Sequence, residues 1–162
     1  MYDTPYKNGF SLVELLIAIL LVGVAIAALM VANGSLTIAN SAGTDLSTAE
    51  FLIEQIRELT ALLPVIDPQT GADTFGPEEA SLADYDDLDD FDGAYFSPPI
   101  GANRDVLNDF AAFNQHVTVE NVNATDFEQV VSDHDSSFVR VKVTVLLNSK
   151  EISSTSWIRA RY

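Results

Sequence analysis

A dense group of carboxylates is the first feature of the sequence that could do chemistry. The stretch DDLDDFD contains Asp86, Asp87, Asp89, Asp90 and Asp92 within seven residues. Calcium prefers clustered carboxylate oxygens, so calcium binding is one interpretation of this stretch. The spacing is not that of an EF-hand, however. If the glycine that follows is placed at the sixth loop position, the first and twelfth positions are a leucine and a proline.

Two other interpretations of the acidic stretch remain open. Tyr85, Leu88 and Phe91 recur every three residues, which would place them on one side of a turn or two of helix with the aspartates facing outward. The stretch would then be a solvated acidic surface held down by apolar side chains. Alternatively, its charge could contact a basic partner subunit.

The sequence offers little support for catalysis. His116 lies in a predicted strand and His134 in a polar loop, and the chain has no cysteine. Neither a nucleophile elbow, a phosphate-binding loop nor an H-E-x-x-H spacing occurs. The sequence therefore predicts a protein that is not an enzyme and that needs no organic cofactor.

A second carboxylate, Glu14, stands at the start of a membrane-type segment. Residues 15–32 are 18 consecutive residues without a polar side chain, and with Phe10, Leu12 and Val13 they are long enough to span a bilayer as a helix. A charged group at the centre of such a helix costs about 2.5 to 3.5 kcal/mol on insertion scales. This segment has two simpler interpretations. It could be a cleaved signal peptide, or a plain anchor with a tolerated acid near the interface.

The short N-terminal motif around Glu14 resembles a known signal. Gly9-Phe10-Ser11-Leu12-Val13-Glu14, preceded by a leader with Lys7 and followed by the apolar run, is similar to the class III signal of type IV prepilins and pseudopilins. The resemblance implies that prepilin peptidase cuts between Gly9 and Phe10 and that the amine of Phe10 is methylated. It also implies that Glu14 pairs with the N-terminal amine of a neighbouring pilin or pseudopilin subunit, and that an inner-membrane assembly platform is a partner.

Two departures from the family pattern stand near this motif. Asn8 precedes Gly9 where a base is usual, and Val31 stands where many major pilins have a proline. The helix is therefore expected to be straighter than that of a major pilin. The string YDDLDDFDG, and the ending from Ser154 to Tyr162, further resemble minor pilins of the mannose-sensitive haemagglutinin type of pilus.

The net charge and the charges that flank the apolar run predict the partners and the membrane orientation of the chain. Lys and Arg total 8 against 24 Asp and Glu, a formal net charge of -16, which disfavours binding to nucleic acid. Lys7 precedes the apolar run, and the only charged residues between 33 and 50 are the acids Asp45 and Glu50. The positive-inside bias therefore predicts a single-pass inner-membrane protein with a cytoplasmic N-terminus and a periplasmic C-terminal domain, which would enter an extracellular filament after assembly.

The expected domains follow from the pattern along the chain. They are a cytoplasmic leader at 1–9, a transmembrane helix at 10–32, an amphipathic continuation of that helix at 33–63 and a globular domain at 64–162. The continuation carries apolar residues at three- and four-residue intervals, namely Ala49, Leu52, Ile53, Ile56, Leu59 and Leu63. Gly34 and Gly43, with capping-box spacing at Ser47 and Glu50, are compatible with a kink or break near 33–47.

The globular domain is expected to combine a loop with a sheet. An acidic loop is predicted at 67–92, within residues 64–103, which hold no Lys or Arg. Alternating valines predict strands at about 115–122, 138–147 and 151–161, with a hairpin turn at Asn148-Ser149-Lys150. The fold class is therefore α+β, a long N-terminal helix packed on a small antiparallel sheet.

Two functions of different class remain. The first is a minor pilin or pseudopilin of a type IV pilus-like or type II secretion filament. The second is a membrane-anchored periplasmic binding protein that holds calcium or a partner at its acidic loop and does not polymerise.

Overall fold

A computed structural model describes residues 9–67, 75–133 and 135–161 of the chain. Lys7, Asn8 and His134, together with most of the leader and residues 68–74 of the predicted acidic loop, lie outside the described residues. The chain divides into two compact units, Met1–Gly43 and Thr44–Tyr162. One helix, α1, runs from Leu12 to Thr60 and contributes to both.

The part of α1 in the first unit is continuous. The helix begins at Leu12, two residues after the predicted start, and it has no break between residues 33 and 47. Ser35 Oγ donates to the Val31 carbonyl at 3.1 Å and Thr37 Oγ1 to the Asn33 carbonyl at 3.0 Å. These hydroxyls satisfy their hydrogen bonds on the helix itself, so they need not interrupt it.

The part of α1 in the second unit buries one face. Ala49, Leu52, Ile53 and Ile56 are fully buried, and Leu59 and Leu63 pack against them in part. The predicted apolar face is therefore confirmed. The helix ends at Thr60 rather than at residue 63. The chain leaves the helical conformation between Thr60 and Pro64. Pro64 disfavours that conformation at the preceding residue, Leu63.

Among the described residues, five strands follow the helix. They are β1 (Tyr95–Phe96), β2 (Phe113–Asn123), β3 (Asp126–Val130), β4 (Phe138–Leu147) and β5 (Lys150–Ala160), and two short 3-10 helices occupy Asp89–Phe91 and Asn108–Phe110. All the pairings are antiparallel, in the order β1-β2-β4-β5, with β3 added to β2. The predicted α+β class is confirmed.

Alternation along β2 and β4 explains which face of the sheet is buried. Val139, Val141, Val143 and Val145 of β4 are each at most 2% exposed. They join the buried valines of β2 and the buried face of α1 in one hydrophobic core. The β4–β5 hairpin turns on two residues, Asn148 and Ser149, whose φ angles of 50° and 66° are those of a type I′ turn.

Two polar side chains fix the helix to the sheet within the second unit. Gln115 of β2 is fully buried, and its Nε2 donates to the Leu52 carbonyl at 2.8 Å and to the Ile100 carbonyl at 3.1 Å, while its Oε1 accepts from Ile100 N–H at 2.8 Å. The guanidinium of Arg159 in β5 donates to the carbonyls of Thr60 and Leu63 at 2.9 and 3.0 Å. A cation at a helix C-terminus is favourable because the last carbonyls lack partners.

Replacing Gln115 by leucine should destabilise the domain, because the buried Ile100 N–H would lose its acceptor. The expected loss is about 1 to 3 kcal/mol of the free energy of unfolding. Gln129→Leu, at an exposed position of β3, is the control and should change this free energy by less than about 0.5 kcal/mol. Urea denaturation of the detergent-solubilised chain measures both, and equal midpoints for the two variants would contradict the role of Gln115.

Candidate functional site

The N-terminal motif forms a defined helix start. Gly9 and Phe10 precede the helix, and Ser11 acts as its N-cap, accepting a hydrogen bond on Oγ from Glu14 N–H at 3.2 Å. Leu15 N–H donates to the Ser11 carbonyl at 3.2 Å and begins the helical pattern. The Gly9–Phe10 peptide bond is therefore exposed and non-helical.

Glu14 is placed in the first turn of α1 with its carboxylate unused. The residue is exposed, and its backbone N–H donates to Ser11 Oγ while its carboxylate makes no hydrogen bond or ion pair among the described residues. A carboxylate in the first helical turn is favoured by the helix dipole. The carboxylate thus remains available to a group outside the described part of the chain.

The surface around Glu14 is apolar and exposed. Phe10 is 85% exposed, Met30 70% and Ile38 72%, and most of the large apolar side chains between them are exposed to a similar degree. The most apolar 18-residue window of α1 has a mean hydropathy of 3.1, and none of it is buried within the described chain. By length and composition, this part of the helix can cross a membrane once.

Comparison with known proteins bears on this segment. The family model described as the prokaryotic N-terminal methylation motif matches residues 4–30. The N-terminus is of the prepilin type. The matched range contains Gly9, Phe10 and Glu14 and covers well under half of the chain, so it characterises the N-terminal segment alone. Among curated proteins and among solved structures, the search finds no match.

The acidic stretch of the second unit has a structure that the sequence did not predict. Leu88 and Phe91 are fully buried, and the Tyr85 ring meets the Phe91 ring edge to face at 5.1 Å. The apolar anchor is therefore confirmed, but an outward-facing set of aspartates is wrong for three of them. Asp87, Asp89 and Asp90 are each at most 1% exposed.

Backbone hydrogen bonds explain why these aspartates turn inward. Asp90 Oδ2 accepts from the N–H groups of Asp86 and Asp87 at 2.9 and 3.3 Å, and Asp87 Oδ1 accepts from Asp90 N–H at 3.1 Å. Asp89 Oδ2 accepts from Gly76 N–H at 3.1 Å. The carboxylates thus act as acceptors for backbone N–H groups of an irregular segment. Asp92 does the same elsewhere, accepting from Val119 N–H at 2.8 Å.

The carboxylates also converge on one another. Three overlapping groups have oxygens that all lie within 4.8 Å, namely Asp67 with Asp86 and Asp87, Glu78 with Asp87 and Asp89, and Glu78 with Glu79 and Asp90. We call these seven residues the acidic cluster. Sequence reasoning missed Asp67, Glu78 and Glu79 as members. The one signal for them was their place in the stretch without Lys or Arg.

Convergence and burial change the protonation of the cluster. Burial raises the pKa of Asp87 to about 8, and its hydrogen bond to Asp89 and the charge of Asp89 add to the rise. A hydrogen bond to Asp90, followed by burial, raises the pKa of Glu79 to about 7. Burial also raises the pKa of Asp89, against the opposing effect of its hydrogen bonds. Near pH 7, the metal-free cluster therefore holds protons.

Because the folded cluster holds protons, the free energy of unfolding of the metal-free chain should depend on pH. The ordinary pKa of an aspartate is 3.8 and that of folded Asp87 is about 8, so between these values the folded chain binds a proton that the unfolded chain releases. The free energy of unfolding should therefore fall as the pH rises through this window.

Thermal denaturation in EDTA at pH 5 and pH 8 measures this effect. The melting temperature should be higher at pH 5, and Asp87→Asn should reduce the difference because the amide does not titrate. Glu78, Glu79 and Asp89, which also face the cluster with raised pKa values, act in the same direction. A higher melting temperature at pH 8 would contradict the prediction.

Proposed function

We propose that this chain is a minor pilin or pseudopilin, a structural subunit of a type IV pilus-like or type II secretion filament. The observation that carries the proposal is the match of residues 4–30 to the methylation motif on a helix whose apolar surface is exposed. The outer part of the chain adds a domain of the expected α+β class. The resemblance of the acidic stretch to minor pilins of the mannose-sensitive haemagglutinin type favours a minor subunit.

Processing begins with cleavage between Gly9 and Phe10 by prepilin peptidase. The non-helical backbone at this bond suits a protease, since a substrate must be extended to enter an active site. The new amine is that of Phe10, which is then methylated. Ser11 remains as the N-cap of α1, so the mature chain keeps its helix start two residues from its terminus.

Assembly uses Glu14 and the apolar surface together. The carboxylate of Glu14 pairs with the methylated amine of a neighbouring subunit, while apolar side chains such as Leu16 and Leu20 exchange lipid contacts for subunit contacts. Each charge alone is costly in an apolar environment, and pairing offsets part of that cost only at the correct register. The inner-membrane assembly platform is the place where this exchange occurs.

A second candidate function is a membrane-anchored periplasmic binding protein that does not polymerise. The buried acidic cluster favours it, because such a cluster suits a bound cation. The two functions differ at the N-terminus, since an anchor needs neither cleavage nor methylation.

The first test is the mass of the N-terminal peptide of the chain purified from membranes of its native host. Mass spectrometry should find a peptide that begins at Phe10 and carries one added methyl group. Deleting the peptidase should leave the chain starting at Met1, which serves as the control. A chain that begins at Met1 in the presence of the peptidase would contradict the proposal and favour the anchored binding protein.

The second test is Glu14→Ala. Removing the carboxylate should leave membrane insertion intact or improve it, because a charged group leaves the apolar segment. The amount of the chain in sheared filaments should fall at least about tenfold, as expected for a lost pairing energy of at least about 1.4 kcal/mol.

Glu58→Ala is the matched control for this change. It removes an exposed acid from the same helix beyond the apolar segment, and incorporation should be unchanged. Immunoblots of membrane and filament fractions measure both variants. Normal incorporation of the Glu14→Ala chain would show that the carboxylate is tolerated rather than used.

A further inference from the structure

Three buried carboxylates of the acidic cluster have no cationic side chain as a partner among the described residues. Asp87, Asp89 and Asp90 are buried, and among the described residues none forms an ion pair with a Lys or Arg side chain. The guanidinium of Arg104, which lies against this segment, is instead directed at the carbonyls of Leu82, Ala83 and Tyr85 at 2.5 to 3.0 Å. Buried carboxylates without a counter-charge are unstable and must bind protons or cations.

One oxygen of each buried aspartate has no N–H or hydroxyl donor. Asp87 Oδ2, Asp89 Oδ1 and Asp90 Oδ1 are buried and accept no hydrogen bond from such a group among the described residues. The other oxygen of each is fixed by a backbone N–H. Each carboxylate is thus held in orientation by the loop and presents a free, preoriented oxygen to its acidic neighbours.

We propose that the acidic cluster is a calcium site, in which Asp87, Asp89 and Asp90 bind the ion through these free oxygens. Glu78, whose carboxylate belongs to two of the three converging oxygen groups, completes the coordination on the more exposed side. Glu79, Asp67 and Asp86 supply further oxygens at the margins. The site is independent of the N-terminal motif, so it stands whether or not the chain polymerises.

The chemistry of the donors favours calcium over other common cations. Every donor is a carboxylate oxygen, and the site has neither cysteine nor an identified histidine, which disfavours zinc and copper. Calcium accepts six to eight oxygens in irregular geometry, including bidentate carboxylates. Magnesium requires a near-ideal octahedron and retains several waters, which suits an enclosed, carboxylate-rich cluster poorly.

The ion would connect segments that are distant in the sequence. Residues 76–79 reach the cluster through Gly76 N–H and the two glutamates, and Leu88 N–H donates to the Pro64 carbonyl at 3.0 Å beside the end of α1. Asp92 continues the same stretch to β2. Calcium would therefore hold the loop on the domain, and its binding must displace protons because it competes with them for the same oxygens.

The test is calcium titration of the full chain purified in detergent, in buffer freed of metal with EDTA and then exchanged. At 1 mM calcium and pH 7.5, the melting temperature, followed by the fluorescence of Trp157, should rise by about 5 °C or more. Isothermal titration calorimetry should show binding with proton release. Magnesium at the same concentration should give a clearly smaller shift.

Variants separate a site from a general effect of charge. Asp89→Asn should abolish the calcium-dependent shift while retaining an amide oxygen for Gly76 N–H. Asp87→Asn serves in its place if that variant does not fold. Asp84→Asn, an exposed acid of the same segment outside the three converging groups, should retain the full shift.

Three results would overturn the proposal. They are no shift with calcium in the unaltered chain, an equal shift in the Asp89→Asn and Asp84→Asn chains, or an equal shift with magnesium. The first would mean that protons alone neutralise the cluster. The second would reduce the effect to nonspecific screening, and the third would remove the assignment to calcium.

Discussion

The exclusion of an apolar helix surface from water is the constraint on which the rest of this structure depends. From Leu12 to Ile38, α1 exposes large aliphatic side chains on all sides, and it does not bury them within the described chain. Contiguous apolar surface of this size marks a membrane segment or an interface. In the function proposed above, lipid covers this surface first and neighbouring subunits cover it later, so the same residues act as anchor and as filament core. Glu14 then sets the register in which the helix packs.

The second unit, by contrast, holds polar groups inside a small domain. Gln115 and Arg159 satisfy carbonyls at the places where α1 meets the sheet and where it ends. In the acidic loop, aspartates take over the role of backbone acceptors, which fixes a short irregular segment without a long strand or helix. The consequence is a concentration of buried negative charge, which requires protons or a cation at neutral pH.

Patterns with a regular period could be predicted from the sequence. The buried face of α1 follows from Leu52, Ile53 and Ile56, and β4 follows from its alternating valines, because each periodicity reports one local geometry. The inward orientation of Asp87, Asp89 and Asp90 could not be predicted. It depends on hydrogen bonds from Gly76 and from the loop itself, and a charged residue is ordinarily assigned to the surface. The same limit hid Glu78 and Glu79, which approach the aspartates only after folding. The roles of Gly9, Phe10 and Glu14 were inferred from the motif alone and stay predictions.

The most direct test of the central claim, that Glu14 faces the N-terminal amine of a neighbour, is site-specific photo-crosslinking in assembled filaments. A photoreactive residue at Val13, which is exposed beside Glu14, would label whatever lies within a few ångströms. The account predicts an adduct that contains the methylated N-terminal peptide of a second subunit and that disappears in the Glu14→Ala chain. Adducts with lipid alone, or subunit adducts that persist without the carboxylate, would contradict it.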